Sequence, residues 1–506
     1  MDMPPRIKVE SAKEYRRGMT LLRSSRISDA ERAFLSAVEL DDRNYAAFAA
    51  LGRLKWREHQ NAKIAVDYYL LSLGIYGHNA PVLLETAEVL SLHGEPKLAE
   101  ELCNHASVLA PNSPRISYIM SNISLAKGDS KAAEEYMLEA IRTDPSDLEY
   151  VNAIAILYSM IGNREDGTPI FEYLLQKDPG NPALMYNFGF FQSRYALRVQ
   201  SEMLLEYGFL CGARQPARKL KATWWRGDDL TGKSIVIWRE QGIGDHIRFA
   251  WVFKELVDVA GKSILVTPQK LIPLFQRTFP ASQIVPDTLS DEEIDAFEAD
   301  FHVPAGGIWH YRPPEKLYTF QDDGFLVPDP EKVKMWRDRL SQNGSRLRIG
   351  ISWTSIMRDQ LARQLGYATL GELLPLMDLP KVDFISLQYN KEAAGEIAAF
   401  EAEFGKKVHH FPEIDLFNDL DAAAGLTAAL DLVISVGNSV ADMSTAVGVP
   451  TFIIGTAGDG SLPPGYKVFP FNLRSFFVRK VGQEWGDVMM AIRNQIIERF
   501  GLPVPS

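Results

Sequence analysis

The hydrophobic and polar positions up to about residue 190 follow a helical pattern that repeats along the chain. Proline and glycine recur within it at intervals of 34 residues. The recurring residues are Pro111, Pro145 and Pro179, and Gly94, Gly128 and Gly162. Glycine favours the turn between two helices, and proline ends the second helix before the next pair begins. The pattern therefore predicts a series of helical hairpins.

This period and pattern resemble those of tetratricopeptide repeats. Two looser units precede the regular ones, with Gly18 and Phe34 in the first and Gly52 and Tyr69 in the second. A half-unit follows the last regular one. We predict an α-solenoid of five hairpins and a partial sixth over residues 11–190.

Stacked hairpins of this kind form an extended concave groove. We expect the groove to bind a segment of a protein partner. The alternative is that the array only braces the rest of the chain or mediates self-association.

Beyond residue 230 the pattern changes to short β-branched runs separated by helices. Such alternation predicts parallel sheets with helices on both faces. The predicted strands are 234–238 and 263–267 in a first half, and 348–353, 382–388, 407–411, 431–436 and 450–455 in a second half. The fold class is thus an α-solenoid followed by a two-lobed α/β region.

These patterns divide the chain into six parts. They are a tail at 1–10, the repeat array at 11–190, a linker helix at 191–230, a first lobe at 231–328, a second lobe at 329–484, and a C-terminal helix and tail at 485–506. Basic residues surround Trp224 and Trp225 in the linker, an arrangement that can bind nucleic acid. At a domain boundary in an acidic protein, a packed linker is favoured.

Composition narrows the classes of function. The formal net charge of −11 argues against a nucleic-acid-binding protein, whose surface is typically basic. Only Cys103 and Cys211 are present, which suits a reducing compartment. No uncharged apolar run approaches 18 residues, and the N-terminus lacks the apolar core of a signal peptide. We therefore expect a cytoplasmic protein with no membrane partner.

In open parallel sheets, ligands bind beyond the carboxyl ends of the strands. The loop after the strand 234–238 contains Gln241, Gly242, Gly244 and Asp245. The glycines allow a close approach of the backbone to a ligand, and a helix N-terminus follows. Asp245 either faces the cleft as a catalytic carboxylate or caps the helix.

A second loop, Gly437-Asn438-Ser439, lies between a very apolar strand and a helix. Its backbone N–H groups and hydroxyl could hold phosphate oxygens. Ordinary helix capping by Asn438 or Ser439 is the alternative.

The run GKSIVIWREQGIGDHIRF, followed by RIGISW, FISLQ and DLVISVGNSVADMSTAVGVPTFII, resembles the bacterial heptosyltransferase-like (family-nine) glycosyltransferase domain. The resemblance implies a two-lobed GT-B fold with Asp245 as the catalytic carboxylate. It places the nucleotide-sugar against the second lobe. The donor-binding residues that it implies are Trp353, Ser355, Arg358, Arg363, Gln388, Gly437, Asn438 and Ser439.

The chain departs from that family at Asp442, where the family usually has histidine. A carboxylate there is expected to repel a phosphate that histidine could bind. The sequence also has no zinc-ligand spacing, so no metal or other cofactor is expected.

Repeats ahead of such a domain also resemble bacterial protein O-glycosyltransferases, including enzymes that modify flagellin. The resemblance implies that the repeats hold a protein acceptor such as flagellin. The cleft then transfers an acidic nine-carbon sugar from a CMP-linked donor to Ser or Thr with inversion. The alternative is a non-catalytic repeat scaffold with a degenerate transferase-like domain.

Overall fold

The computed structural model describes residues 5–59, 61–93, 95–193, 203–312, 323–344, 346–355, 367–456, 473–479 and 483–503. The chain divides into two compact units, and the boundary falls between Leu157 and Tyr158, inside a helix. No helix of the described residues has the length and apolarity to cross a membrane.

The described residues before Ser193 form helix pairs, as the 34-residue period predicts. The first helices of the pairs are α1 (Val9–Arg23), α3 (Tyr45–Arg57), α5 (Ala80–Leu92), α7 (Pro114–Ala126) and α9 (Leu148–Ile161). The second helices are α2 (Ile27–Leu40), α4 (Ala62–Ile75), α6 (Pro96–Leu109), α8 (Ser130–Thr143) and α10 (Arg164–Lys177). The half-unit is α11 (Pro182–Ser193). The predicted tetratricopeptide-type hairpins are confirmed.

Glycine has two roles in these pairs. Gly128 and Gly162 lie in the turns, with φ angles of +80° and +77° that favour glycine over other residues. Gly52 instead lies inside α3, where a β-carbon would come within 2.6 Å of the Tyr69 ring. Glycine therefore lets a large aromatic side chain fill the space between paired helices.

The second unit contains two five-stranded sheets, and every strand pairing within them is parallel. The first sheet has the order β1-β5-β2-β3-β4 and the second β10-β9-β8-β6-β7. The first comprises β1 (Thr223–Trp224), β2 (Ser234–Trp238), β3 (Lys262–Thr267), β4 (Gln283–Pro286) and β5 (Phe301–Pro304). The second comprises β6 (Leu347–Ser352), β7 (Val382–Ser386), β8 (Leu432–Val436), β9 (Thr451–Thr456) and β10 (Arg474–Arg479).

Helices precede, connect and follow these strands in the described residues. They are α12 (Gly208–Cys211), α13 (Ile243–Ala250), α14 (Phe253–Val257), α15 (Ile272–Thr278), α16 (Asp291–Asp295), α17 (Pro330–Leu340), α18 (Ala393–Phe404), α19 (Leu420–Thr427), α20 (Ser439–Ala446) and α21 (Trp485–Phe500). Short 3₁₀ segments span Gln269–Leu271, Ala305–Tyr311, Ser341–Asn343 and Gly371–Leu376.

The structure differs from the sequence-based expectations at several places, and β10 is one strand that was not predicted. The prediction of a strand at 407–411 is wrong, because only an isolated bridge between His409 and Ile385 forms there. β1 lies inside the segment predicted as a linker helix, where Trp225 joins the core of the first lobe. The predicted C-terminal helix is α21, which packs into the core of the second lobe through residues such as Trp485 and Ile492.

Candidate functional site

The two glycine-containing loops highlighted by the sequence meet in the structure. A β-carbon added to Gly244 would lie 3.1 Å from the Cα atom of Ser439 and 2.8 Å from Oδ2 of Asp442. Gly244 belongs to α13 and Ser439 begins α20, and each of these helices follows the central strand of its sheet. The junction therefore lies where parallel sheets bind ligands.

Asp245 lies in the first turn of α13, at this junction. Its Oδ2 atom accepts a hydrogen bond of 3.2 Å from the backbone N–H of Gly242. Its Oδ1 atom forms an ion pair with Arg248 on the same helix. The side chain remains 28% exposed, so the carboxylate caps the helix and is also open to solvent.

Asp442 faces Gly244 from α20 and has its own cationic partner. Its Oδ1 atom lies 2.7 Å from a guanidinium nitrogen of Arg474, which also donates to the Thr445 hydroxyl at 2.8 Å. Burial and the positive charge of Arg248 lower the pKa of Arg474, whereas Asp442 acts to raise it. The expected repulsion of a phosphate by Asp442 is thus offset by a guanidinium group in contact with the carboxylate.

Gln388 lies at the carboxyl end of β7 and is buried. Its Oε1 atom accepts hydrogen bonds from the Ser352 hydroxyl and from the backbone N–H groups of Trp353 and Thr354, at 3.0–3.2 Å. Its Nε2 atom donates to the carbonyl of Thr354. Gln388 therefore fixes the loop that leaves β6.

Asn438 caps α20 and reaches the same loop. Its Oδ1 atom accepts from the backbone N–H groups of Val440 and Ala441, at 3.0 and 3.3 Å. Its Nδ2 atom donates to the Ser352 hydroxyl and the Thr354 carbonyl. The capping alternative is therefore present at Asn438, and its amide joins the ends of β6 and β8.

The remaining residues that the resemblance implies for donor binding have different environments. Trp353 is buried, and its indole N–H donates to Glu396 at 2.6 Å. Ser355 is partly buried, with its hydroxyl 3.5 Å from that of Tyr389. Gly437 and Ser439 are partly buried beside the Gly244 contact. Arg358 and Arg363 lie outside the described residues.

The loop that leads to Asp245 rests on a buried ion pair that the sequence did not reveal. Glu240 is fully buried, pairs with Arg214, and accepts a 2.7 Å hydrogen bond from the backbone N–H of Gly306. The next residue, Gln241, has a left-handed φ of +55° and donates its N–H to the Gln215 carbonyl. Arg214 and Gln215, in the segment that was predicted as a linker, therefore hold this loop in place.

A cleft of about 520 Å³ lies beyond the carboxyl ends of β2, β3 and β4. Its lining residues are Arg239, Ile243, Pro268, Gln269, Lys270, Asp287 and Asn418. Most of them follow directly after a strand. The rule that ligands bind beyond the carboxyl ends of parallel strands (the strand-end rule) could therefore have found them. Asn418 comes from the second lobe, and Ile243 lies two residues before Asp245.

In the described part of the chain, no group of three or more His, Cys, Asp or Glu side chains could hold a metal ion. The site instead consists of carboxylates, guanidinium groups, one ammonium group and amides.

No protein-family model matches the chain. Over 299 residues it is 30% identical to "Protein FlbA" of Caulobacter vibrioides, in a match that covers 55% of this chain and 49% of FlbA. The chain thus spans about half the length of this curated relative. FlbA is a relative over that region.

Several solved structures are similar to part of the chain. A tetratricopeptide repeat protein from Parabacteroides merdae is 18% identical, with a TM-score of 0.30, over 41% of this chain and 77% of that one. TTC0263, a thermophilic tetratricopeptide repeat protein of Thermus thermophilus, is 16% identical with a TM-score of 0.32, over 39% of this chain and 99% of that one. PilF of Pseudomonas aeruginosa is 19% identical with a TM-score of 0.32, over 40% of this chain and 91% of PilF.

Proposed function

We propose that the chain is a GT-B-type glycosyltransferase that transfers a sugar from a nucleotide donor to a Ser or Thr hydroxyl of a protein. The observation that carries this proposal is the contact between the Gly244-Asp245 turn and the N-terminus of α20. The turn that carries Asp245 in one lobe and a helix start in the other thus meet at the carboxyl ends of two parallel sheets.

Asp245 is the proposed general base. It takes the proton of the acceptor hydroxyl while the hydroxyl oxygen bonds to the anomeric carbon of the sugar. The bond from that carbon to the nucleotide phosphate breaks, and its electron pair leaves on the phosphate oxygen. Attack from the face opposite the phosphate inverts the anomeric centre. Arg248 orients the Asp245 carboxylate through their ion pair.

The second lobe is the proposed donor side. The first turn of α20 favours negative charge through its backbone dipoles, and the Ser439 hydroxyl is a further donor. The guanidinium groups of Arg474 and Arg248 lie at the same junction, each paired with a carboxylate, and their N–H donors support stabilisation of the leaving phosphate. Gln388 and Asn438 hold the loops of this side in place through their internal hydrogen bonds.

The repeat hairpins support a protein as the acceptor, because stacked hairpins present an extended binding surface. Flagellin as the acceptor and a CMP-linked nonulosonic acid as the donor are the finer parts of the proposal. They rest on the resemblance to bacterial flagellin O-glycosyltransferases.

The variant Asp245→Asn tests the role of the carboxylate. We expect it to bind nucleotide as the wild type does and to lose transfer by roughly 10²–10⁴-fold, the usual contribution of a general base. Transfer is measured as the mass increase of the acceptor protein. Asp258→Asn is the matched control, since Asp258 also pairs with a basic residue nearby but is 54% exposed. Full turnover by Asp245→Asn would remove Asp245 from the mechanism.

A non-catalytic scaffold is the second candidate. The observation that favours a scaffold is that the side-chain amides of Gln388 and Asn438 form hydrogen bonds with other groups of the protein. A thermal-shift screen against CMP, UDP, GDP and ADP separates the two functions. A ligand at one hundred times its Kd stabilises the native state by about 2.7 kcal/mol. A rise in the melting temperature with one nucleotide supports the transferase. An unchanged melting temperature with all four nucleotides at millimolar concentration supports the scaffold.

A further inference from the structure

An apolar patch lies on the solvent-facing sides of α4 and α6, the second helices of two successive hairpins. The two helices are neighbours, because His78, just after α4, contacts the ring of His105 on α6 with 5.8 Å between the centroids. The patch has five aliphatic side chains that are 40–77% exposed. They are Ile64, Leu70 and Leu71 on α4, and Leu98 and Val108 on α6. Single exposed apolar residues are normal, but a group of this kind marks an interaction surface.

The neighbouring hairpins show that the repeat itself does not require these aliphatic side chains. Equivalent places can be counted from the small buried residues that recur in each second helix. In α2 the place of Ile64 and Leu98 is taken by Asp29. In α8 the place of Val108 is taken by Arg142. The fold therefore accepts a charge at these places, and the aliphatic residues of α4 and α6 need another explanation.

The charges on the same two helices indicate which partner the patch fits. Four exposed charged side chains accompany the patch, two of each sign. They are Lys63 and Asp67 on α4, and Lys97 and Glu101 on α6. None of them forms an ion pair with another described residue. The patch is thus neutral in a chain with a net charge of −11, and each of its charges can pair with an opposite charge on a second copy. Two acidic copies can approach each other through such a surface without repulsion.

The lengths and side chains of the two helices also suit twofold symmetry. α4 and α6 have 14 residues each and, as second helices of successive hairpins, point in the same direction. A twofold axis between them lays α4 of one copy antiparallel to α6 of the other. Ile64 near the start of α4 then faces Val108 near the end of α6. At the other end Gly74, which has no atom within 4 Å of its β-carbon position, leaves room for Leu98.

We propose that the exposed faces of α4 and α6 bind the same faces of a second copy of this chain and form a twofold-symmetric homodimer. The inference goes beyond the proposed function, because it needs neither a nucleotide nor transfer of a sugar. Two helices of 14 residues are about 21 Å long. The contact is therefore at the low end of specific interfaces, which is about 1,200 Å² in total. A reversible dimer with a micromolar Kd follows.

Sedimentation velocity of the full chain over a range of micromolar concentrations tests the proposal. The wild type should pass from monomer to dimer, and Leu71→Glu and Val108→Glu should each weaken the dimer at least about tenfold, because a carboxylate would be buried in the contact. Val259→Glu is the control, since Val259 is 51% exposed but lies outside the repeats. Melting temperatures verify folding. A wild type that is monomeric throughout would assign the patch to a different partner and overturn the proposal, as would a dimer that the two patch variants leave intact.

Charge reversal tests whether the partner is the same patch on a second copy. One variant combines Lys63→Glu with Lys97→Glu, and the other combines Asp67→Lys with Glu101→Lys. Each variant presents one sign of charge, so each should dimerise more weakly than the wild type at low salt. A mixture of the two should regain the dimer as a heterodimer, since the signs are then opposite. A mixture that stays monomeric, or a wild type that grows beyond a dimer as a head-to-tail contact would, contradicts the twofold contact.

Discussion

Gly244 and Asp442 approach so closely that a β-carbon on the glycine would lie 2.8 Å from the carboxylate oxygen. The same β-carbon would lie 3.1 Å from the Cα atom of Ser439 and 3.3 Å from its nitrogen. A side chain can rotate away, but the backbone at a helix start cannot. The contact between α13 and α20 therefore depends on the absence of a side chain at residue 244.

Gly244→Ala should separate the two helices. We expect the free energy of unfolding to fall by about 1–3 kcal/mol, the usual cost of forcing a methyl group into a packed site. Gly395→Ala in α18 is the control, because no atom lies within 4 Å of its β-carbon position and alanine favours a helix. Chemical denaturation of both variants measures the difference. Equal stabilities would show that the junction adapts to the methyl group.

A second prediction concerns the ion pair between Asp442 and Arg474. Both side chains are nearly buried, so Arg474→Met leaves a carboxylate without its cation and should cost about 3–5 kcal/mol. Adding Asp442→Asn to that variant removes the uncompensated charge and should restore most of the stability. A double-variant cycle based on urea denaturation tests this. A double variant that is as unstable as Arg474→Met would mean that packing of Arg474, and not its charge, stabilises the junction.

The sequence predicts the elements whose signals are local. The hairpins follow from proline and glycine at fixed spacing, and strands such as β2 and β8 follow from continuous apolar runs that are buried in the structure. The predicted strand at 407–411 fails because it carries two histidines and pairs with β7 only through His409. β10 was not predicted, because most of its residues are only half-buried and its pattern is correspondingly weak.

The candidate site is less predictable for a physical reason. The strand-end rule indicates that the loops at Gly244 and Ser439 border the cleft, but it does not tell which atoms touch. Arg474 is 32 residues from Asp442 and lies on an unpredicted strand, so no local signal connects the pair. Glu240 is adjacent to a predicted loop residue, but its partner Arg214 comes from the segment assigned to a linker.

Within the repeats, Gly52 makes a third prediction. Its β-carbon position lies 2.6 Å from the ring of the buried Tyr69, so Gly52→Ala should destabilise this hairpin by about 1–3 kcal/mol. Gly74→Ala in the partner helix has open space and should stabilise it by about 0.4–1 kcal/mol. Thermal unfolding followed by circular dichroism measures both. A Gly52→Ala protein as stable as Gly74→Ala would contradict the close packing of Tyr69.

His246 makes a prediction about pH. It is fully buried in α13, with its Nε2 atom 3.0 Å from the Thr267 hydroxyl and its ring stacked on Phe275 at 5.2 Å. Burial, with a smaller contribution from the positive charge of Arg239, lowers the pKa of His246 to about 3. In the unfolded chain the pKa of histidine is about 6.5. Between these two values, the unfolded chain binds a proton that the folded protein does not.

Acidification through that window therefore favours unfolding. Each pH unit below about 6.5 removes about 1.4 kcal/mol, so His246 alone should cost about 2 kcal/mol at pH 5. In His246→Phe, which keeps an aromatic ring against Phe275, this part of the pH dependence should disappear. The exposed His105, changed to Gln, is the control and should leave the dependence intact. Urea denaturation at pH 7 and pH 5 measures the slopes, and an unchanged slope in His246→Phe would mean that His246 is already protonated in the folded protein.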